Sequence, residues 1–233
     1  MDPVIHLRGA VALLGRFPAL AGVDLTVDAG QLVVLQGPNG AGKSTLLRLC
    51  AGLLPLANGH GTVLGHDLRS ERRSVRAHVG LLGHDLGLYE ELSVEDNLRF
   101  WARAAGLPAG SAADAAQLLG LDGRLRDVQV ARLSAGQRRR TALAVLAARR
   151  PELWLLDEPH AGLDRAGRDV LDGLLRSAVT AGATVLLASH EHERVAGLRA
   201  RVVDLSAGSV VPAGRDGAAP PGLGAEEWGD DGA

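Results

Sequence analysis

Val23, Leu25 and Val27 alternate with polar partners, the period-two pattern of a half-buried strand, whereas Leu32 to Leu35 is a continuous apolar run suited to a strand covered on both faces. A glycine-rich turn and the apolar segment Ser44 to Cys50 follow at once, so the pattern predicts strand, loop, helix. Further buried-strand runs stand at Val79 to Leu82, Leu153 to Leu156, Thr184 to Ala188 and Val202 to Leu205, with helical patterns between the later ones. Strands alternating with helices predict a largely parallel sheet in an α/β fold. The middle of the chain reads differently. Val94 to Ala105, Ala112 to Leu119 and Ala135 to Arg149 carry helical spacing, and Ser93 with Asp96 predicts a capping pair for the first. Residues 83–150 are therefore expected to form a mostly helical insertion into the α/β core, and a small antiparallel β region is expected beside it.

Composition narrows the classes. The 25 basic and 27 acidic side chains leave a formal charge of -2, without the strongly basic balance that marks nucleic-acid binders. No apolar stretch reaches the roughly 18 to 20 residues that span a bilayer as a helix, and the N-terminus lacks the basic start and apolar core of a secretory signal. The expected location is the cytoplasm. Cys50, the single cysteine, has no internal disulfide partner and no metal-ligand spacing, and reads as a small buried apolar residue. From Ala213 the chain becomes rich in glycine, proline and alanine and ends acidic, with Glu226, Glu227, Asp230 and Asp231, so residues 213–233 are expected to form a disordered tail. One feature of the charge is sharper: Lys43 is the only lysine, every other basic residue being arginine.

That lysine sits in Gly37-Pro38-Asn39-Gly40-Ala41-Gly42-Lys43-Ser44-Thr45, which satisfies G-x-x-x-x-G-K-[ST] between a predicted strand and a predicted helix. Consecutive amides can point inward at phosphate oxygens, and the helix N-terminus adds its positive dipole end. Lys43 would reach the β- and γ-phosphates as a compact charge on a flexible stem, where the broad fork of arginine serves less well. Ser44 would offer its hydroxyl to Mg²⁺. The loop alone does not separate kinases, GTPases and transport ATPases.

Two later segments choose among them. Leu133-Ser134-Ala135-Gly136-Gln137 precedes a helix, and an apolar strand ends in Asp157 and Glu158. With the turn Ala161-Gly162-Leu163-Asp164 and Ser189-His190, these motifs stand in the order found in ATP-binding subunits of ABC transporters, which the chain resembles over about residues 4–212. Taken singly, adjacent acids or a lone histidine are often solvated loop residues. In this order they fit a site. Asp157 would hold Mg²⁺ through its water shell, Glu158 would accept a proton from the attacking water or orient it, and His190 would hydrogen-bond the γ-phosphate. The resemblance implies a P-loop NTPase core of the ABC ATPase type spanning residues 1–212, with ATP and Mg²⁺ as ligands. It further implies a head-to-tail dimer in which Ser134 and Gly136 of one copy close over the ATP of the other, with Gln137 and Asp164 among the residues that bind ATP. The implied partners are a second ATP-binding subunit and an integral membrane permease, which would hold the chain at the inner face of the cell membrane.

The chain departs from that pattern at three places. His84, in Leu82-Gly83-His84-Asp85, stands where members carry a glutamine that touches the metal and the water, and it reads equally as a replacement ligand or as a loop histidine. Ala135 stands where glycine is commoner. Leu14 stands where the aromatic platform for adenine is expected, with Phe17 three residues on, so Phe17 is the candidate for stacking and Leu14 the candidate for a weaker apolar contact. The segments at residues 83–88 and 97–100 are similar to ATP-binding subunits of the haem exporter of cytochrome c maturation, a generic exporter of drugs or lipids being the alternative. Leu86, Leu88, Tyr89 and Leu92 form the expected docking face for the permease. A soluble kinase or GTPase would share the loop but have no use for residues 133–137 and Ser189-His190 in this order.

Overall fold

The protein is described here by a computed structural model covering residues 2–108, 112–191 and 197–211. The expected tail lies outside the described residues. Strands β1 (Ile5–Leu14) and β2 (Phe17–Val27) form a hairpin, and β3 (Leu32–Gln36) leads into helix α1 (Lys43–Cys50). Strands β4 (Asn58–Val63) and β5 (His66–Asp67) then return to the hairpin and complete an antiparallel sheet of order β2-β1-β4-β5. Helix α2 (Arg72–His78) leads into β6 (Val79–Leu82), and helices α3 (Val94–Ala104), α4 (Ala113–Leu118) and α5 (Ala135–Arg149) fill the interval before β7 (Leu153–Asp157). Helix α6 (Arg165–Thr180), β8 (Thr184–Ala188), β9 (Arg201–Ser206) and β10 (Ser209–Val210) complete the described elements. The second sheet runs β10-β9-β3-β8-β7-β6, parallel throughout except for the antiparallel edge pair β9 and β10.

Alternation along the parallel strands assigns each face to its own core. Val33, Leu35, Leu153, Leu155, Leu186 and Ala188 point toward the antiparallel sheet, while Val34, Trp154, Leu156, Val185 and Leu187 point toward the helices. Both sets are buried, which is why these runs read as continuous rather than alternating. Helix α1 lies in the first core with Leu46, Leu47, Leu49 and Cys50 fully buried. Each such leucine contributes roughly 1.5–3 kcal/mol by leaving water, so the helix that follows the phosphate loop is held rigidly between the two sheets. Desolvation in this core pushes the Cys50 thiol up to about 12. The second core joins α3, α4, α5 and α6 to the far face of the parallel sheet through Leu98, Ala116, Leu143 and Leu175.

The expected cap forms. Ser93 Oγ accepts from the Asp96 amide at 3.0 Å and donates to the Asp96 carboxylate at 2.7 Å. Buried Asn97 accepts from the Tyr89 amide and donates to the Tyr89 and Ser93 carbonyls, so it fixes the loop that enters α3. Since β3, β6, β7, β8 and β9 are parallel, their carboxyl ends share one edge, where ligands of such sheets bind. Onto that edge the chain delivers the phosphate loop, His84, Asp157 with Glu158, and Ser189 with His190. Among the described residues no helix is long and apolar enough to cross a membrane.

Candidate functional site

The phosphate loop occupies the six residues between β3 and α1, and close approach dictates two of its glycines. Gly37 holds φ +137°, and a Cβ there would stand 2.1 Å from the Leu205 carbonyl oxygen. Gly42, the residue that caps α1, holds φ +102°, and its Cβ would stand 2.8 Å from the Ala19 carbonyl oxygen and 2.9 Å from Leu20 Cδ2. No L side chain fits either place. The loop is braced from outside by a turn that the motif does not contain: the Gly208 amide donates to the Ala41 carbonyl at 3.1 Å, and the Ala21 amide donates to the Gly208 carbonyl at 2.8 Å. Lys43 is buried, and its Nζ donates to the carbonyls of Gly37 at 2.7 Å and Pro38 at 3.0 Å. The ammonium is thus stored against its own loop, at the mouth through which phosphates would enter.

A cavity of about 270 Å³ opens over this loop. Its walls bring together Asn39, Gly40, Ala41, Gly42, Lys43, Ser44 and Thr45 with Asp157 and Glu158, and with Leu14 and Ala19 from the hairpin. Ser44 and Asp157 therefore present a hydroxyl and a carboxylate to one space, the hard oxygen donors that Mg²⁺ prefers. Of the two candidates for the base contact, the structure brings Leu14 to the cavity. Phe17, its cross-strand partner in the hairpin, is 79% exposed and is not among the lining residues.

Strand β7 ends at Asp157, and the backbone then turns sharply. Glu158 holds φ +47°, a left-handed conformation that is costly for a residue with a side chain, and its amide donates to the Ala188 carbonyl at 3.0 Å. The turn sends the two carboxylates to different jobs: Asp157 stays at the strand end, while Glu158 Oε2 lies 2.9 Å from His190 Nδ1. The hydrogen bond from His190 to Glu158, helped by the charge of that carboxylate, raises the His190 pKa above its ordinary value, with burial and the charge of Lys43 acting the other way. The loop bearing His190 is tied back by the Ser189 amide, which donates to the Leu35 carbonyl, and by Ser189 Oγ, which accepts from the Glu191 amide at 3.1 Å.

Arg139 joins this group without any signal in the sequence. It is the middle member of Arg138, Arg139 and Arg140, which leave the helix in different directions. Its Nη1 makes a long contact of 3.5 Å to the Asp157 carbonyl. Desolvation lowers its pKa, opposed by the charges of Asp157 and Glu158. Only the fold selects this arginine from its neighbours.

The second motif forms its own platform. Ser134 caps α5 through a reciprocal box: its Oγ accepts from the Gln137 amide at 3.2 Å, and the Gln137 side-chain oxygen accepts from the Ser134 amide at 2.9 Å. The box leaves the Ser134 hydroxyl proton available, at a helix N-terminus suited to an anion. Gly136 is required by packing, because a Cβ would stand 2.6 Å from the Gly162 carbonyl oxygen. The turn at Ala161-Gly162 thereby touches the start of α5, and Asp164 caps α6 by accepting from the Gly167 amide at 2.8 Å. His84 is not among the residues that line the cavity over the phosphate loop. With Leu86, Arg138, Arg139 and Gly162 it lines a cleft of about 670 Å³ that Leu133 and Ala135 also border.

A family model described as ABC transporter matches residues 20–161. The chain is 41% identical over 176 residues to the cytochrome c biogenesis ATP-binding export protein CcmA of Chelativorans sp. (strain BNC1), covering 76% of this chain and 86% of that protein. Among solved structures, the ATP-binding subunit of an ABC transporter superposes with a TM-score of 0.81 at 26% identity, covering 89% of this chain and 88% of that one. A dimeric ATP-binding cassette in a post-hydrolysis state, bound to ADP and phosphate, superposes with a TM-score of 0.80 at 23% identity, covering 88% and 96%.

Proposed function

The chain belongs to the ABC transporter family, and from that premise we propose that it is the ATP-hydrolysing subunit of an exporter serving cytochrome c biogenesis, with haem as the cargo. The observation that carries the ATPase reading is the meeting of Lys43, Ser44, Asp157 and Glu158 around one cavity, with His190 bonded to Glu158. Its identity to the CcmA relative and the residues at 83–88 and 97–100 support the export reading.

The loop amides and the N-terminus of α1 bind the phosphates. Lys43 turns its ammonium from the carbonyls of Gly37 and Pro38 to the β- and γ-phosphates. Ser44 and Asp157 would hold Mg²⁺, which when bound neutralises charge developing on the transferred phosphoryl group. Glu158 takes the proton of the attacking water as the bond from the γ-phosphorus to the ADP oxygen breaks, and His190 steadies the γ-phosphate. Leu14 supplies the apolar contact for the base, with Phe17 beside it.

Two copies associate head to tail. Ser134, Gly136 and Gln137 of one close over the ATP bound by the other, and Asp164 lies at the same interface. Binding of ATP adds charge-assisted contacts across that interface and hydrolysis removes them, so opening and closing follow the nucleotide. The segment bearing His84, Leu88 and Tyr89 meets a separate membrane permease and holds the subunit at the inner face of the membrane.

Deleting the gene in its host and staining membrane proteins for covalently attached haem tests the cargo. Loss of staining restored by the wild type and not by Lys43→Ala is expected. Normal staining in the deletion strain would leave an exporter of another cargo, such as a drug or lipid.

A further inference from the structure

His160 follows Glu158 by two positions and is 3% exposed. Its Nε2 lies 2.8 Å from Oδ1 of Asp172, a buried carboxylate about two turns into α6. An imidazole nitrogen that bonds a carboxylate carries the proton, so Nε2 is the donor. The other ring nitrogen, Nδ1, is buried without a partner among the described residues. An apolar side chain of this size would fill the same space without leaving a polar atom unsatisfied. What the imidazole adds is the bond to Asp172.

We propose that His160 is a positioning residue for Glu158, acting through that bond. Glu158 holds φ +47°, and such a conformation persists only where the surrounding structure over-determines it. On one side its amide is tied to the Ala188 carbonyl. On the other, the Ala161 amide donates to the Glu158 carbonyl at 3.1 Å and the Leu163 amide to the His160 carbonyl at 3.2 Å, closing the turn on itself. His160 then pins the closed turn to α6, whose first turn is fixed by the Asp164 cap. With the bond to Asp172 cut, the turn keeps its own hydrogen bonds and the bond from Arg168 Nε of α6 to the Leu163 carbonyl but loses its anchor at His160, the one nearer Glu158, and the Glu158 carboxylate drifts from the line of attack. Residues that bind phosphate are not on this turn. The inference rests on the reading of Glu158 as the group that takes the proton from water, and it predicts a fault in turnover with ATP binding intact.

The test compares His160→Gln with His160→Asn in the full-length chain. Both replacements are polar and similar in size; the glutamine amide reaches to the position of Nε2, and the asparagine amide stops short of it. We expect His160→Gln to hold kcat within about threefold of the wild type and His160→Asn to lose about tenfold or more, both with KM for ATP within about twofold. Thermal melting of both variants checks that each is folded at the assay temperature. Equal kcat in the two variants would overturn the proposal, as would a loss matched by a rise in KM or by unfolding. Absence of turnover in the wild type would instead bring down the ATPase reading, and this inference with it.

Discussion

Glu158 and His190 face each other at 2.9 Å across the carboxyl ends of two adjacent parallel strands, β7 and β8. The contact joins the residue that would receive the proton of the attacking water to the residue that would hold the γ-phosphate. It uses Oε2 of Glu158, leaving the other carboxylate oxygen for water.

The pair makes a prediction about titration. Glu158 raises the His190 pKa above the ordinary 6.5, so the protonated ring is the favoured partner. Any stability the pair contributes is fully present below the unfolded value near 6.5 and is lost as pH rises through the higher folded value. Because the ring is 71% exposed, the stability effect is small and the titration itself is the better readout. Ring-proton NMR of nucleotide-free protein is expected to show His190 titrating above its ordinary range and returning toward it in Glu158→Gln. Identical midpoints in both proteins would contradict the contact.

Two glycines of the phosphate loop are expected to differ in what they tolerate. In Gly40→Ala the new Cβ enters open space at φ +81°, so the cost is the left-handed backbone alone, about 1–2 kcal/mol. In Gly37→Ala the Cβ also meets the Leu205 carbonyl oxygen at 2.1 Å, so the loss should be clearly larger. Urea unfolding midpoints measure the difference, and equal midpoints would show that the loop and β9 are not in contact.

Ser134→Ala removes the capping box of α5 and is expected to cost about 1 kcal/mol of stability. It should also weaken ATP-dependent association if the hydroxyl left free by the box is, as proposed, the group offered to the neighbouring nucleotide. Thermal melting and light scattering with ATP separate the two effects. Unchanged association would confine Ser134 to its structural task.

Cys50 should be inert. With its thiol fully buried and its pKa pushed up to about 12 by desolvation, it has almost no thiolate at neutral pH. An aromatic disulfide reagent is expected to react with it only after denaturation. Fast reaction in the native state would contradict the packing of α1.

Much of this site was legible in the chain because its chemistry is local. The phosphate loop, the acids at the end of β7 and the cap at Ser93 each lie within a few residues of the pattern that predicts them. The parallel sheet followed from runs such as Leu153 to Leu156, whose burial on both faces leaves no polar alternation to read. What escaped is set by contacts between distant segments. Gly136 answers to Gly162, the phosphate loop leans on Gly208, and Arg139 reaches Asp157, none of which has a local signature. The two candidates for a base contact show the same limit. Phe17 and Leu14 are both candidates in the sequence, and the hairpin geometry brings Leu14 to the cavity.

In the proposed function ATP is the ligand that joins two copies and Glu158 the residue that releases them. Size-exclusion chromatography with and without ATP, run on Glu158→Gln beside the wild type, checks both roles at once. The variant is expected to bind ATP, to turn it over at least about a hundredfold more slowly and to elute as a dimer only when ATP is present. Wild-type turnover in the variant, or a monomer at saturating ATP, would contradict these roles.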